Sequence, residues 1–239
     1  MFRISKNKFA NMSPWDGVRL FIILTVALSG FLLIQKEEAV MAKDSVIQLP
    51  KPSVKGKCSL EEAIAKRRSQ RSFLEKDLNL EQIGQLLWAA QGITARRGPD
   101  SFRAAPSAGA LYPMEVYLAA KDGFYHYLPE GHQLEVVGQK DLRGALSEAA
   151  YGQECVAQAP IDIVICAVYS RVTVKYGERG PKLAHIEAGH IAQNIHLQAV
   201  ALGLGSVPVG GFSDKAAKKV ISLGEDCDPV YIIPVGYPS

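Results

Sequence analysis

Residues 161–169 read Ile-Asp-Ile-Val-Ile-Cys-Ala-Val-Tyr, a nearly unbroken apolar and β-branched run. A run of this length and branching predicts a strand covered on both faces, so it belongs at the centre of a sheet. Upstream, Glu115 to Ala120 and Phe124 to Tyr127 are β-rich and flank Lys121-Asp122-Gly123, which reads as a hairpin with Leu134 to Val137 as a third strand. Downstream, Val230 to Val235 makes a last strand, and Pro234 favours an edge or terminal position because it has no N–H to give a ladder. Between these strands the periodicity turns helical. Leu183 to Leu202 is long, Ala-rich and closed by Gly203, which predicts a core helix, and Asp214 to Ile221 predicts a shorter one capped by Ser213 or Asp214. Asp141 to Ala150 is helical in pattern. Near the start of the body, Ser59 with Glu62 has the capping-box form, for a helix reaching about Arg68. Asn79 with Gln82 repeats that form before Leu80, Ile83, Leu86, Leu87 and Ala90 at helical spacing and Gly92 at the stop. Residues 93–105 are polar and marked by Gly and Pro, as in a mobile loop. The order of elements predicts an α+β domain with helices packed on a mostly antiparallel sheet, rather than a doubly wound α/β fold.

The 239 residues carry 27 Lys plus Arg against 24 Asp plus Glu, a balance too even to argue for a general polyanion-binding surface. Four cysteines lie far apart with no C-x-x-C, which excludes a disulfide-stapled mini-scaffold and a zinc finger. The first forty residues differ from the rest. Leu20 to Ile34 carry no charge; Arg3, Lys6, Lys8 and Arg19 precede them and Lys36, Glu37 and Glu38 follow. That order predicts a signal peptide or membrane anchor over 1–42, with Val40-Met41-Ala42 as a cleavage site and the body outside the cytoplasm. The competing reading is a cytoplasmic protein whose translation starts at Met41. No twin-arginine pair precedes the apolar run. Without residues 1–42 the body is close to neutral, with 22 basic and 21 acidic residues. Residues 43–57, with Pro50, Pro52 and Gly56, read as a linker or extended arm, and 58–239 as the folded domain.

Three segments carry chemistry. Arg67, Arg68, Ser69 and Arg71 cluster at a helix end, where guanidinium forks and a hydroxyl can close on a phosphate, although such a cluster also suits a solvated helix terminus. Ala105-Pro-Ser-Ala-Gly-Ala-Leu-Tyr-Pro113 places small residues between prolines, so that backbone amides can approach a ligand and Ser107 adds a hydroxyl. Gly203-Leu-Gly-Ser-Val-Pro-Val-Gly-Gly-Phe212 lets the chain lie against a flat ligand and aim an N–H at it. No G-x-G-x-x-G follows a strand and no P-loop occurs, so the common nucleotide-binding glycines are absent. His185, Glu187 and His190 lack the spacing of H-E-x-x-H, and no metal site is expected. No G-x-S-x-G elbow supports a nucleophilic triad. His190 and His196 are expected to be packed or hydrogen-bonded in the long helix.

Taken in this order, the three segments resemble the FMN-dependent nitroreductase superfamily, and specifically its SagB-type branch, which includes azoline oxidases; the resemblance covers roughly residues 58 to 238. It implies an FMN oxidoreductase that passes hydride to or from flavin N5 by a ping-pong mechanism, with NAD(P)H a possible donor and a small molecule or peptide as substrate. The resemblance also implies roles for particular residues. Arg67, Arg68, Ser69 and Arg71 would hold the flavin phosphate and ribityl chain. Pro106, Ser107, Ala108 and Gly109 would reach the flavin from the other subunit of a homodimer. Pro208, Val209, Gly210 and Gly211 would run beside the isoalloxazine and offer an N–H to N5. The branch's Lys-Tyr pair falls on Lys175 and Tyr176, which the resemblance implicates in taking a proton while hydride leaves for flavin. Two departures stand out. The sequence given stops at Gly236-Tyr-Pro-Ser239, without the basic tail of many members, which would put more of the phosphate on Arg67, Arg71 and Arg68. Ala110 and Tyr112 stand where many members have Asn and Gln, which argues against classical nitroarene recognition. The rival reading is a non-catalytic flavin-binding or flavin-processing module on the same fold.

Overall fold

The computed structural model describes residues 46–98, 100–224 and 226–239. The chain runs through β1 (Val46–Gln48), α1 (Leu60–Lys66), α2 (Leu80–Gln91), β2 (Ile93–Arg97), β3 (Asp100–Arg103), β4 (Met114–Ala120), β5 (Gly123–Leu128), β6 (Gln133–Gly138), α3 (Arg143–Ala149), α4 (Glu154–Gln158), β7 (Ile161–Ala167), α5 (Ser170–Tyr176), α6 (Gly180–Ala201), β8 (Gly205–Ser206), α7 (Asp214–Ile221) and β9 (Asp228–Gly236). Seven strands form one sheet in the order β1-β6-β5-β4-β7-β9-β8, every neighbouring pair antiparallel. The architecture is the expected α+β one. The apolar run 161–167 is its central strand, flanked by β4 and β9.

Alternation along β7 divides the core in two. Ile161, Ile163 and Ile165 face Leu86, Leu87 and Ala90 of α2 and the stripe Ala184, Ala188, Ile191, Ile195 and Ala199 of α6. Val164 and Cys166 face Leu146, Val156, Ala217 and Ile221 on the other side. Each fully buried Ile or Val contributes about 2 kcal/mol, so both faces hold the strand. Small Ala at α6 positions 184, 188 and 199 lets that helix lie close to the sheet. Asp162 sits among the apolar residues with neither carboxylate oxygen hydrogen-bonded among the described residues, and burial pushes its pKa well above the usual carboxylate range.

Three expectations need correction. Residues 93–105 are not a loop throughout: β2 and β3 pair as a hairpin, Ile93 with Arg103 and Arg97 with Asp100, and Gly98 takes φ +60 at the turn. Both faces of this hairpin are largely solvated, so its sequence lacks the apolar alternation that marks a half-buried strand. Pro234 lies inside the sheet, not at its edge, which is occupied by β8. The Pro234 carbonyl accepts from the Val207 N–H at 3.3 Å, and its nitrogen points the same way, so the missing donor falls where the ladder is only two residues long. The long helix starts at Gly180 rather than Leu183, with Pro181 in its first turn, and α4 and α5 were not foreseen. The leader expected over 1–42 lies outside the described residues. Within 46–57, Val46–Gln48 pair with β6 as an edge strand.

Candidate active site

Ser59 caps α1 by accepting from the Glu62 N–H at 3.1 Å, and the helix ends where Arg67 turns into extended backbone. The following segment is held by backbone. Ser69 bridges Ser206 in parallel, Gln70 N–H donates to the Ser206 carbonyl at 3.0 Å, and Leu74 N–H donates to the Tyr237 carbonyl at 2.8 Å. A Cβ at Gly205 would lie 2.7 Å from both Cβ and Cγ of Gln70, so glycine is what permits this approach. The three arginines then diverge. Arg68 donates to the carbonyls of Ala65 and Arg67 at the end of its own helix, at 3.0 and 2.7 Å. The guanidinium groups of Arg67 and Arg71 have no hydrogen-bond or ion-pair partner among the described residues. Arg67 stands near His196, which donates to or accepts from Ser206 Oγ at 2.7 Å through Nδ1. Burial first, and the Arg67 charge second, push His196 down to about 4, so this imidazole is neutral. The packed, hydrogen-bonded role expected for His196 is the one it has.

Two residues beyond Ser206 the chain reaches Pro208. Val209 is buried and exchanges both backbone hydrogen bonds with Ile232, at 2.8 and 3.1 Å. Gly210 and Gly211 turn out to solvent; their N–H groups find no acceptor among the described residues, while the Gly211 carbonyl accepts from Gln153 Nε2 at 2.9 Å. The segments 67–71 and 208–211 are thus tied together through Ser69 and Gln70 on Ser206, and between them they carry two unspent guanidinium groups and two unspent N–H donors. Guanidinium groups of this kind can bind a phosphate, and such N–H donors an acceptor on a flat ring.

The remaining predicted residues form a second group. In the loop 105–113, Ser107 Oγ accepts from the Tyr112 N–H at 2.9 Å and lies beside the carboxyl of Glu187, which also accepts from Gln91 Nε2 at 3.1 Å. Burial pushes the Glu187 carboxyl up, against the hydrogen bonds of Ser107 and Gln91 and the charge of Arg103. Gly109, Ala110 and Tyr112 all take positive φ, at 64, 54 and 48°, which is strained for the two residues that carry a Cβ. Lys175 and Tyr176 end α5 directly against this loop: a Cβ on Gly109 would lie 2.9 Å from Lys175 Nζ and from Tyr176 Oη alike.

A polar chain that the sequence reading missed anchors the loop. Arg171 pairs with Glu115 and donates to the Tyr112 carbonyl at 3.1 Å. Glu115 also accepts from His126 Nε2 at 2.8 Å. The Arg103 guanidinium lies 4.5 Å over the Tyr112 ring, and the Arg103 backbone N–H donates to Tyr112 Oη at 3.2 Å. Burial works against the Glu115 carboxylate, but the bonds from His126 and Arg171 outweigh it and hold its pKa below the usual range. Burial likewise opposes the charged form of His126, and Glu115 outweighs it, so His126 is raised. Glu115 and His126 carry no motif; only the cross-strand register of β4 and β5 brings them together. His185, weighed as a metal ligand, instead bonds Tyr169 Oη at 2.6 Å.

Both groups touch α6, the loop at Glu187 and the arginine patch at His196. Nine residues of helix separate these two positions, about 13 Å along the axis.

A family model described as the nitroreductase family matches residues 64–237. A protein of Methanocaldococcus jannaschii, named as a nitroreductase, is 40% identical over 183 residues, covering 74% of this chain and 90% of that protein. The microcin B17-processing protein McbC of Escherichia coli is 30% identical over 169 residues, and the match spans 64% of this chain and 60% of McbC. Among solved structures, a nitroreductase-named protein of Ralstonia eutropha superposes with a TM-score of 0.74 at 32% identity, covering 82% of this chain and 90% of that one. A chain of the E. coli microcin synthetase McbBCD complex with truncated pro-MccB17 bound superposes with a TM-score of 0.61 at 25% identity, over 81% of this chain and 77% of that one.

Proposed function

The chain belongs to the nitroreductase family and is an oxidoreductase, and from that premise we propose that it is an FMN-dependent enzyme of the SagB-type branch, acting as a homodimer on a small molecule or peptide. Proteins of this family generally bind FMN, use NAD(P)H and are typically homodimers. When bound, FMN would supply hydride transfer at N5, to or from one partner and then the other in ping-pong fashion.

The residues present fit this cofactor. Arg67 and Arg71 would take the phosphate, since neither guanidinium is engaged elsewhere, and Ser69 would add its hydroxyl; Arg68 would contribute charge from its helix-capping position. Gly210 or Gly211 would donate its unspent N–H toward N5, with Pro208 and Val209 as the wall that fixes the ring's face. Pro106 to Gly109 would close over the flavin of the neighbouring subunit, a reading supported by the separation of the two groups along α6. Lys175 and Tyr176 would hold and relay the proton that accompanies hydride. The SagB-type assignment is supported by the likeness to McbC and by the packing of Lys175 and Tyr176 on the loop. The processing of a peptide by McbC makes a peptide substrate the first to test.

One observation carries the proposal: the pairing of Ser69 with Ser206 ties the segment that carries two unspent guanidinium groups to the one that carries two unspent backbone N–H donors. An absorbance scan of the purified protein tests it. A flavin band in the wild type that is lost in an Arg67→Ala/Arg71→Ala variant is the expected result, and NADH or NADPH should bleach it anaerobically if a nicotinamide is the donor. A band unchanged in the double variant overturns the phosphate role.

A further inference from the structure

We propose that Glu187 positions Ser107 by forming a cyclic acid–amide pair with Gln91, its carboxyl held as the neutral acid between α2 and the loop 105–113. The pair is read from two loose ends. Gln91 Nε2 donates to Glu187 Oε1 at 3.1 Å, yet Gln91 Oε1 and Glu187 Oε2, both shut away from solvent, have no hydrogen-bond partner among the described residues. Glu187 is 2% exposed and Gln91 1%. Two acceptors cannot satisfy each other, and leaving both unpaired inside the protein is costly. One proton removes both faults. Placed on Glu187 Oε2, it gives the acid a donor for Gln91 Oε1, and the two side chains then exchange a hydrogen bond in each direction. The surroundings favour the neutral acid. Burial is the largest influence on this carboxyl and raises its pKa, against Ser107, Gln91 and the Arg103 charge from β3. A further donor nearby, the Met114 N–H, makes no hydrogen bond of proper geometry to Oε2.

The consequence falls on Ser107, whose Oγ already accepts from the Tyr112 N–H at 2.9 Å. Its single proton is turned to the Glu187 carboxyl, so the hydroxyl has none left to offer and meets a ligand only as an acceptor. Glu187 acts through Ser107 and is a positioning residue. That the ligand is flavin rests on the proposed function, whereas the pair itself does not.

Infrared difference spectra of the full-length protein, taken without added flavin, test the pair. At neutral pH the wild type minus Glu187→Gln should show the C=O stretch of a protonated carboxyl; Asp162, whose pKa burial also raises, is common to both and cancels. Carboxylate bands in its place overturn the proposal. Ser107→Ala should move the protonated-carboxyl band to higher frequency, because the hydroxyl no longer bonds it, and an unmoved band overturns the positioning role. Thermal melts and FMN titrations supply the rescue. Glutamine reproduces both hydrogen bonds of the acid, so Glu187→Gln should melt and bind FMN nearly as the wild type does, while Glu187→Ala strands Gln91, melts lower and binds FMN several-fold more weakly. Equal losses in the two variants overturn the pairing. If Glu187→Ala does not fold, the infrared bands and the glutamine variant decide; a wild type that takes up no FMN defeats the proposed function, and the bands still judge the pair.

Discussion

The two halves of the candidate site are built in opposite ways. The arginine segment is fixed by backbone, through Ser69 on Ser206, Gln70 on Ser206 and Val209 on Ile232, and the Arg67 and Arg71 guanidinium groups and the Gly210 and Gly211 N–H donors are left unspent. The loop 105–113 is strained, and charged and polar side chains hold it: Arg171, Glu115, His126 and Arg103 are all engaged in keeping it there. A region meant to bind an anion keeps its cations available, whereas a region meant to hold a shape uses them internally. Variants of the first should change binding with little effect on stability, and variants of the second the reverse.

The largest effect is expected from Arg67→Ala/Arg71→Ala. Losing two charge-assisted contacts of about 1.5 kcal/mol each should weaken FMN binding by roughly a hundredfold, read by fluorescence titration, with the melting temperature of the apoprotein unchanged. Next comes Glu115→Ala, which leaves His126 and Arg171 without their shared carboxylate. Arg171 is partly exposed, so the cost should be about 2 kcal/mol rather than that of a fully buried pair, and thermal melts should fall by roughly 5 °C. If Glu115→Ala weakens FMN binding more than it destabilises the fold, the division between the halves fails.

The same anchor gives stability a pH window. Glu115 has a depressed pKa, so its contribution is present above the ordinary carboxylate value near about 4.3 and is lost as pH falls through its folded value. His126 has a raised pKa, so its contribution is complete below about 6.5 and is lost as pH rises through its folded value. Between these limits the anchor is strongest. Melting temperatures should decline on the alkaline side in the wild type, and His126→Gln should flatten that decline. A smaller change is expected from Gly109→Ala, where φ of +64° and the contact with Lys175 and Tyr176 cost about 1–2 kcal/mol of stability. The smallest belongs to Arg68→Ala: its guanidinium serves helix carbonyls, so FMN affinity should stay within about twofold while stability drops by roughly 0.5 kcal/mol.

The central strand, the Asn79 capping box and the three-strand hairpin were legible in the sequence because local chemistry decides them: branched apolar residues in a row, a side chain facing its own helix N-terminus, and a glycine-bearing turn. Hairpin β2–β3 was not, since a ribbon with two wet faces has no period to read. Pro234 misled because its lack of a donor matters only on the side where pairing is wanted, and that side is settled by β8, a two-residue strand too short to recognise. Of the site, the arginine cluster and the glycine-rich turn were visible as motifs, and in the structure their backbones meet where Ser69 and Gln70 pair with Ser206. The loop's anchor was invisible: Glu115 and His126 meet only through the register of β4 and β5, and Arg171 reaches Glu115 from helix α5. Glu187 drew notice for metal spacing, yet it is turned inward against Ser107 and Gln91.

Native mass spectrometry of the purified wild type tests the central claim most directly. The account predicts a dimer carrying two FMN, and a dimer stripped of flavin for Arg67→Ala/Arg71→Ala. A monomer that holds FMN by itself, or a dimer that takes up none when FMN is supplied, would contradict it.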